Sequence, residues 1–129
     1  MPENVGIVLL LVCLLEVKHM FADFYLQTKK MLSGRCEYFH PGRAQHAAVH
    51  ALSSLIVLFL FGSPLWFMVL ICAAEWLVHF NIDFWKAHHS ECRQLEPTQG
   101  AYWRAMGTDQ LLHHLTYVAM AAAWSMVAL

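Results

Sequence analysis

The sequence predicts an all-α, integral membrane four-helix up-down bundle, with residues 1–129 forming one transmembrane domain. Three observations predict it. Hydrophobic residues make up 59% of the 129 and charged residues only 13%, which is apolar for a soluble domain. The apolar residues gather in four long runs separated by polar or turn-forming stretches. One end of each run carries histidines and carboxylates four residues apart, a spacing that puts side chains on one helix face.

Segment one spans about Val5 to Gln27. It is uninterrupted and apolar to Leu15, and then Glu16, Lys18, His19 and Asp23 appear. Asn4 is a candidate cap. The preceding Met-Pro-Glu-Asn lacks a basic region, and no small-residue cleavage site follows, so a retained membrane helix is expected rather than a secretory signal. Lys29 to Arg43 is a polar connection with Gly34, Pro41 and Gly42. Segment two runs from Arg43 to Phe61, with His46 and His50 in its first turns. Gly62-Ser63-Pro64 is a tight turn; Ser63 as cap and Pro64 at the first helical position suit a helix start. Segment three, Pro64 to Trp85, is apolar first and polar last. Lys86 to Gly107 is the long connection, in which Tyr102 and Trp103 suit a membrane interface. Segment four begins at Thr108, a plausible cap, and carries Asp109 and His113 in its first turns.

The polar sets thus lie late in segment one, early in two, late in three and early in four. An up-down bundle brings all four to the same end. Every Lys and Arg lies toward that end: Lys18, Lys29, Lys30, Arg35, Arg43, Lys86, Arg93 and Arg104. The positive-inside rule then places the polar loops in the cytoplasm and both termini outside. A net charge of −1 implies no nucleic-acid partner. The four cysteines form no spaced framework, and no disulfide is expected from them. Cys36/His40 and His88/Cys92, each four apart in the loops, are a weaker second zinc candidate.

The central stretch is Glu75-Trp-Leu-Val-His79-Phe-Asn-Ile-Asp83. Each four-residue step turns about 40°, so Glu75, His79 and Asp83 stay within roughly one quadrant. Three ionisable groups on one face of an apolar helix are costly in a membrane. A bound ion offsets that cost, and so does mutual hydrogen bonding. The pooled metal ligands are His19, Asp23, His46, His50, Glu75, His79, Asp83, Asp109 and His113, with Glu16 as a further candidate. Imidazole and carboxylate suit a divalent transition metal: zinc first, then iron or manganese. Glu75 and Asp23 are the candidate catalytic carboxylates. Of His113 and His114, only one ring can point inward. Gln27 and Gln110 are candidate partners of the cluster. Lys18 and Lys86 flank ligand sets; snorkelling toward head groups is the simpler role, and contact with a phosphate or other anion the alternative.

The run Lys18-His-Met-Phe-Ala-Asp23-Phe-Tyr-Leu-Gln27-Thr28, with His46-x3-His50, Glu75-x3-His79-x3-Asp83-x2-Lys86 and Asp109-Gln-x2-His113, resembles a bacterial family catalogued as domain of unknown function 3307. The resemblance touches all four segments. It implies a small inner-membrane protein and assigns no activity. In style the chain is also similar to membrane-bound metal-dependent hydrolases that pool His and acidic ligands from several helices, which is an analogy of arrangement.

Three functions compete. One is a metal-dependent hydrolase acting on an amphiphilic substrate from the cytoplasmic leaflet of the lipid bilayer. The second is a proton- or metal-relay transport component, which four short helices would require to be a homo-oligomer. Against it stands the scarcity of helix-breaking Gly or Pro inside the spans. The third is a non-catalytic membrane interaction module whose polar centre only specifies helix packing.

Overall fold

The computed structural model describes residues 3–129. Four long helices carry the fold: α1 (Glu3–Phe24), α3 (Pro41–Leu60), α4 (Leu65–Lys86) and α5 (Gly100–Ala128). A single turn, α2 (Lys29–Leu32), lies in the first loop, and a π-helical turn, Ala87–Glu91, prolongs α4 into the last. All four long helices are long and apolar enough to cross a membrane. Each packs on two neighbours, in the cyclic order α1, α3, α4, α5. The pairs α1/α4 and α3/α5 are therefore the diagonals of a square.

Local chemistry sets the helix ends. At α3, the ring of His40 accepts the Gly42 backbone N–H (3.1 Å), and Pro41 occupies the first helical position, where its missing N–H costs nothing. The α3–α4 turn closes at Gly62, whose φ of 66° suits a residue without Cβ. Thr28 caps α2 by accepting the Met31 N–H (3.3 Å).

The apolar half of the bundle lies toward Gly62. Leu11 and Leu15 of α1, Leu58 of α3, Met68 of α4 and Met120 and Trp124 of α5 form its core. There Trp124 donates its indole N–H to Ser63 Oγ (2.9 Å). The outward faces carry exposed Leu9, Leu10, Ile56, Phe59, Leu70 and Val118. A continuous apolar exterior of this size suits lipid contact.

Several expected boundaries move. Segment four starts at Gly100 rather than Thr108: Thr108 lies inside α5 and returns its hydroxyl to Arg104 O (2.8 Å). Gly107 in mid-helix costs about 1 kcal/mol, but buried Ala105 shows that this first stretch packs against the bundle. Ser63 bonds Trp124 instead of capping α4, and Asn4 lies within α1 rather than before it.

The loops depart further from expectation. Cys36 and Cys92 form a disulfide, with Cα atoms 5.7 Å apart, so neither is available for a zinc site with His40 and His88. Their separation in sequence hid the pairing, which arises only because both loops lie at one end. Beside the disulfide, Arg35 pairs with Glu91 (2.8 Å). Arg43 is buried, and it donates to the backbone oxygens of Glu37 (2.6 Å), Tyr38 (2.7 Å) and Arg35. Counted from sequence as a loop charge, it instead folds the first loop down onto α3.

Candidate metal centre

At the loop end of the bundle, each helix turns two or more polar side chains inward. His19 and Asp23 come from α1, His46 and His50 from α3, His79 and Asp83 from α4, and Asp109 and His113 from α5. All are buried except Asp23, whose side chain is 17% exposed. His113 faces in, while its neighbour His114 faces out to Glu16 Oε2 (2.6 Å). Glu16 is therefore engaged away from the cluster.

Two groups have donor atoms close enough to share an ion. Asp23, His46, His50 and His79 form one; His79, Asp83 and His113 form the other; within each, the ligand atoms lie within 4.8 Å of one another. The individual distances are informative. Asp23 Oδ1 lies 3.2 Å from His46 Nε2 and 2.9 Å from His50 Nε2. Asp83 Oδ2 lies 3.6 Å from His46 Nε2 and 3.4 Å from His79 Nε2, and its Oδ1 lies 3.3 Å from His113 Nε2. Asp109 Oδ1 lies 3.4 Å from His113 Nε2. Bonds of about 2.0 Å to a tetrahedral ion put neighbouring ligand atoms about 3.3 Å apart. The spacings therefore match the edges of a coordination shell.

Unmet hydrogen bonds agree. His79 Nε2, Asp83 Oδ2 and Asp109 Oδ1 are buried with no hydrogen-bond partner. Such atoms are expensive when left bare. His79 Nε2 and Asp83 Oδ2 face each other at ligand spacing without hydrogen-bond alignment, and Asp109 Oδ1 faces His113 Nε2 at a similar distance. The donor set, imidazole with carboxylate, suits zinc, iron or manganese. The site can hold a divalent metal.

A second polar layer lies behind this one. Tyr117 Oη is 3.0 Å from His19 Nδ1 and 3.3 Å from His50 Nδ1. Lys18 donates to the same oxygen (3.2 Å), to His50 O (3.1 Å) and to Glu75 Oε1 (2.5 Å). Lys18–Glu75 spans one diagonal of the square, and His50–Tyr117 spans the other. Outer contacts of this kind orient ligating rings.

This layer revises two expectations. Glu75, expected among the ligands and as a base, lies outside both donor groups. It sits one turn nearer the apolar half, about 6 Å from the His79 level by helical rise, and is held by Lys18. Lys18 does not snorkel: its side chain is only 8% exposed, deep between the helices. Each charge is tolerable there because the other is present.

Tyr117 was missed from sequence, although a signal existed. Asp109, His113 and Tyr117 repeat the four-residue step of Glu75, His79 and Asp83. Gln110, expected as a partner of the cluster, donates to Asp109 Oδ2 (3.1 Å).

Residues 9–129 match the family described as protein of unknown function (DUF3307). The chain belongs to that family. No curated protein and no solved structure matches it. For this family member the functional reading therefore rests on the geometry: a membrane-embedded protein whose clustered His and Asp residues can coordinate a metal.

Proposed function

We propose that the protein is a metal-dependent hydrolase of the bacterial inner membrane, acting on the head of an amphiphile. The observation that carries the reading is the pair of donor groups sharing His79 beneath a small opening. One imidazole nitrogen serves one ion. If His79 completes the set Asp23, His46, His50, the second set is Asp83 and His113. Asp83, with Oδ2 toward His46 and His79 and Oδ1 toward His113, then lies between the two.

A divalent ion supplies Lewis acidity and lowers the pKa of a water. The chain supplies the rest. Asp23 and Asp109 both line the opening at the loop end. Asp23 is surrounded by His19, His46 and His50 and serves as a ligand. Asp109 belongs to neither close group and presents a bare oxygen, so it replaces Glu75 as the candidate base.

The tautomers follow from counting protons. With His50 ligating through Nε2, its Nδ1–H donates to Tyr117 Oη. Lys18 donates to the same oxygen, which in turn gives its own hydrogen to His19 Nδ1. His19 then carries its proton on Nε2, which lies 3.2 Å from Asp23 Oδ2 without hydrogen-bond alignment, so the ring stands beside that carboxylate rather than binding metal.

The positive-charge bias supports a cytoplasmic loop end. In that compartment thiols are kept reduced, so the Cys36–Cys92 bond forms there only when the thiol pool is oxidised.

The test is elemental analysis of the purified protein, followed by hydrolysis assays on ester and phosphoester amphiphiles before and after chelation. One or two transition-metal ions per chain, with activity lost on chelation and restored by zinc or manganese, is expected. Metal-free protein with unchanged activity overturns the reading.

A further inference from the structure

The opening above the donor groups carries its own chemistry. It is a cavity of about 110 Å³, below the ~300–1,000 Å³ typical of whole-ligand pockets, and so of head-group size. Asp23, His46, Asp83 and Asp109 line it, and so do Arg35 and Lys86. Those two cations come from different parts of the chain, the first loop and the end of α4. Both turn to one carboxylate oxygen, Glu91 Oε1, at 2.8 Å and 3.3 Å. Glu91 is itself not among the lining residues, and its side chain is 37% exposed.

We infer that this cavity is a phosphoryl-binding subsite, in which Arg35 and Lys86 grip the outer oxygens of a phosphate group whose inner oxygens face the metal centre. The inference rests on the metal reading above. Charge supports it. Three aspartates and Glu91 against Arg35 and Lys86 leave the pocket at −2 without an ion. Each divalent ion adds two, so one ion neutralises the pocket and two make it positive. An anion is therefore recognised only when metal is present.

Shape supports a phosphoryl group over a carboxylate. A phosphate monoester carries about −1.5 to −2 charges and three acceptor oxygens. That is enough to reach two separate cations and the metal side at once, where a carboxylate has two oxygens and one charge. The guanidinium fork matches phosphate geometry, and Lys is a phosphate binder by point charge. Glu91 is the resident counter-ion: its carboxylate occupies both cations until a phosphate displaces it. Arg35 and Glu91 each adjoin a disulfide cysteine in sequence.

The phosphoryl group can belong to a lipid head or to a water-soluble ester, and one titration separates them. Zinc-loaded protein in phosphatidylcholine nanodiscs is titrated with inorganic phosphate by calorimetry, with zinc content measured on each sample. Phosphate is expected to bind the zinc-loaded protein and not the chelated one. Arg35→Gln and Lys86→Gln should each weaken it about tenfold, the loss of one charge-assisted contact. Glu91→Gln should tighten it severalfold, and all three variants should keep their zinc. Displacement of phosphate by phosphatidate in the nanodisc, with glycerol phosphate inert, supports a lipid head; the reverse supports a soluble ester. Zinc bound with no phosphate binding, or equal affinity in all variants, overturns the subsite alone. Failure of the wild-type protein to hold zinc overturns the metal reading and this inference with it.

Discussion

Near Gly62 the four long helices meet through Leu11, Leu58, Met68 and Met120. A few turns away the same helices meet through five histidines and three aspartates. Between the two halves lies one charged layer, in which Lys18 meets Glu75 Oε1 and the Tyr117 hydroxyl while Glu75 Oε2 is left without a partner. In the apolar half each contact is individually replaceable, because packing is spread over many side chains. In the polar half each group depends on its neighbours, because a buried ionisable side chain is tolerated only with partners. The expected consequences of substitution are therefore unequal along the bundle axis.

The sharpest contrast should come from His79, the member common to both donor groups. His79→Ala is expected to leave the purified protein with metal near background after dialysis against a weak chelator, while far-ultraviolet dichroism stays helical. Full metal content in that variant would mean the two groups are not joined through this ring.

Next in size is the diagonal pair. Lys18→Met strands the Glu75 carboxylate between helices and should cost about 3–5 kcal/mol in thermal or denaturant unfolding in detergent. Adding Glu75→Gln should recover most of it, since no bare charge remains. A double variant no better than the single would show that the pair is not a closed unit.

A smaller effect is expected one shell out from the metal. Tyr117→Phe keeps the ring and removes the oxygen that His19 and His50 share. Metal affinity should fall about 10- to 100-fold, with unfolding little changed. Competition against a chelating dye measures this directly.

The smallest belongs to the apolar half. Trp124→Phe gives up the indole bond to Ser63 and should cost about 1 kcal/mol, with metal affinity equal to wild type. A change in metal binding from that distance would break the division of the bundle into two independent halves.

Much of this was legible in the sequence, and for a local reason. Hydropathy runs and the four-residue step are properties of one helix at a time, so four spans, one polar end and the inward choice between His113 and His114 could be read without tertiary knowledge. The start of α5 could not, because Gly107-Thr108 has the chemistry of a helix start and only the packing of Ala105 overrides it. The loops could not either: Arg43 gathers three backbone oxygens from residues 35–38, a role that its charge alone does not announce.

What the chain by itself determined is the set of polar groups and the end of the bundle that holds them, since periodicity and polarity are written residue by residue. Only the tertiary structure decided how that set divides. Glu75, His79 and Asp83 share one helix face, yet Lys18 across the diagonal draws Glu75 into an ion pair and leaves the other two for the donor groups. Cys36 and Cys92 likewise meet only because two loops close over the same opening. Partnership between distant residues is a matter of three-dimensional distance, and spacing along a single helix carries no record of it.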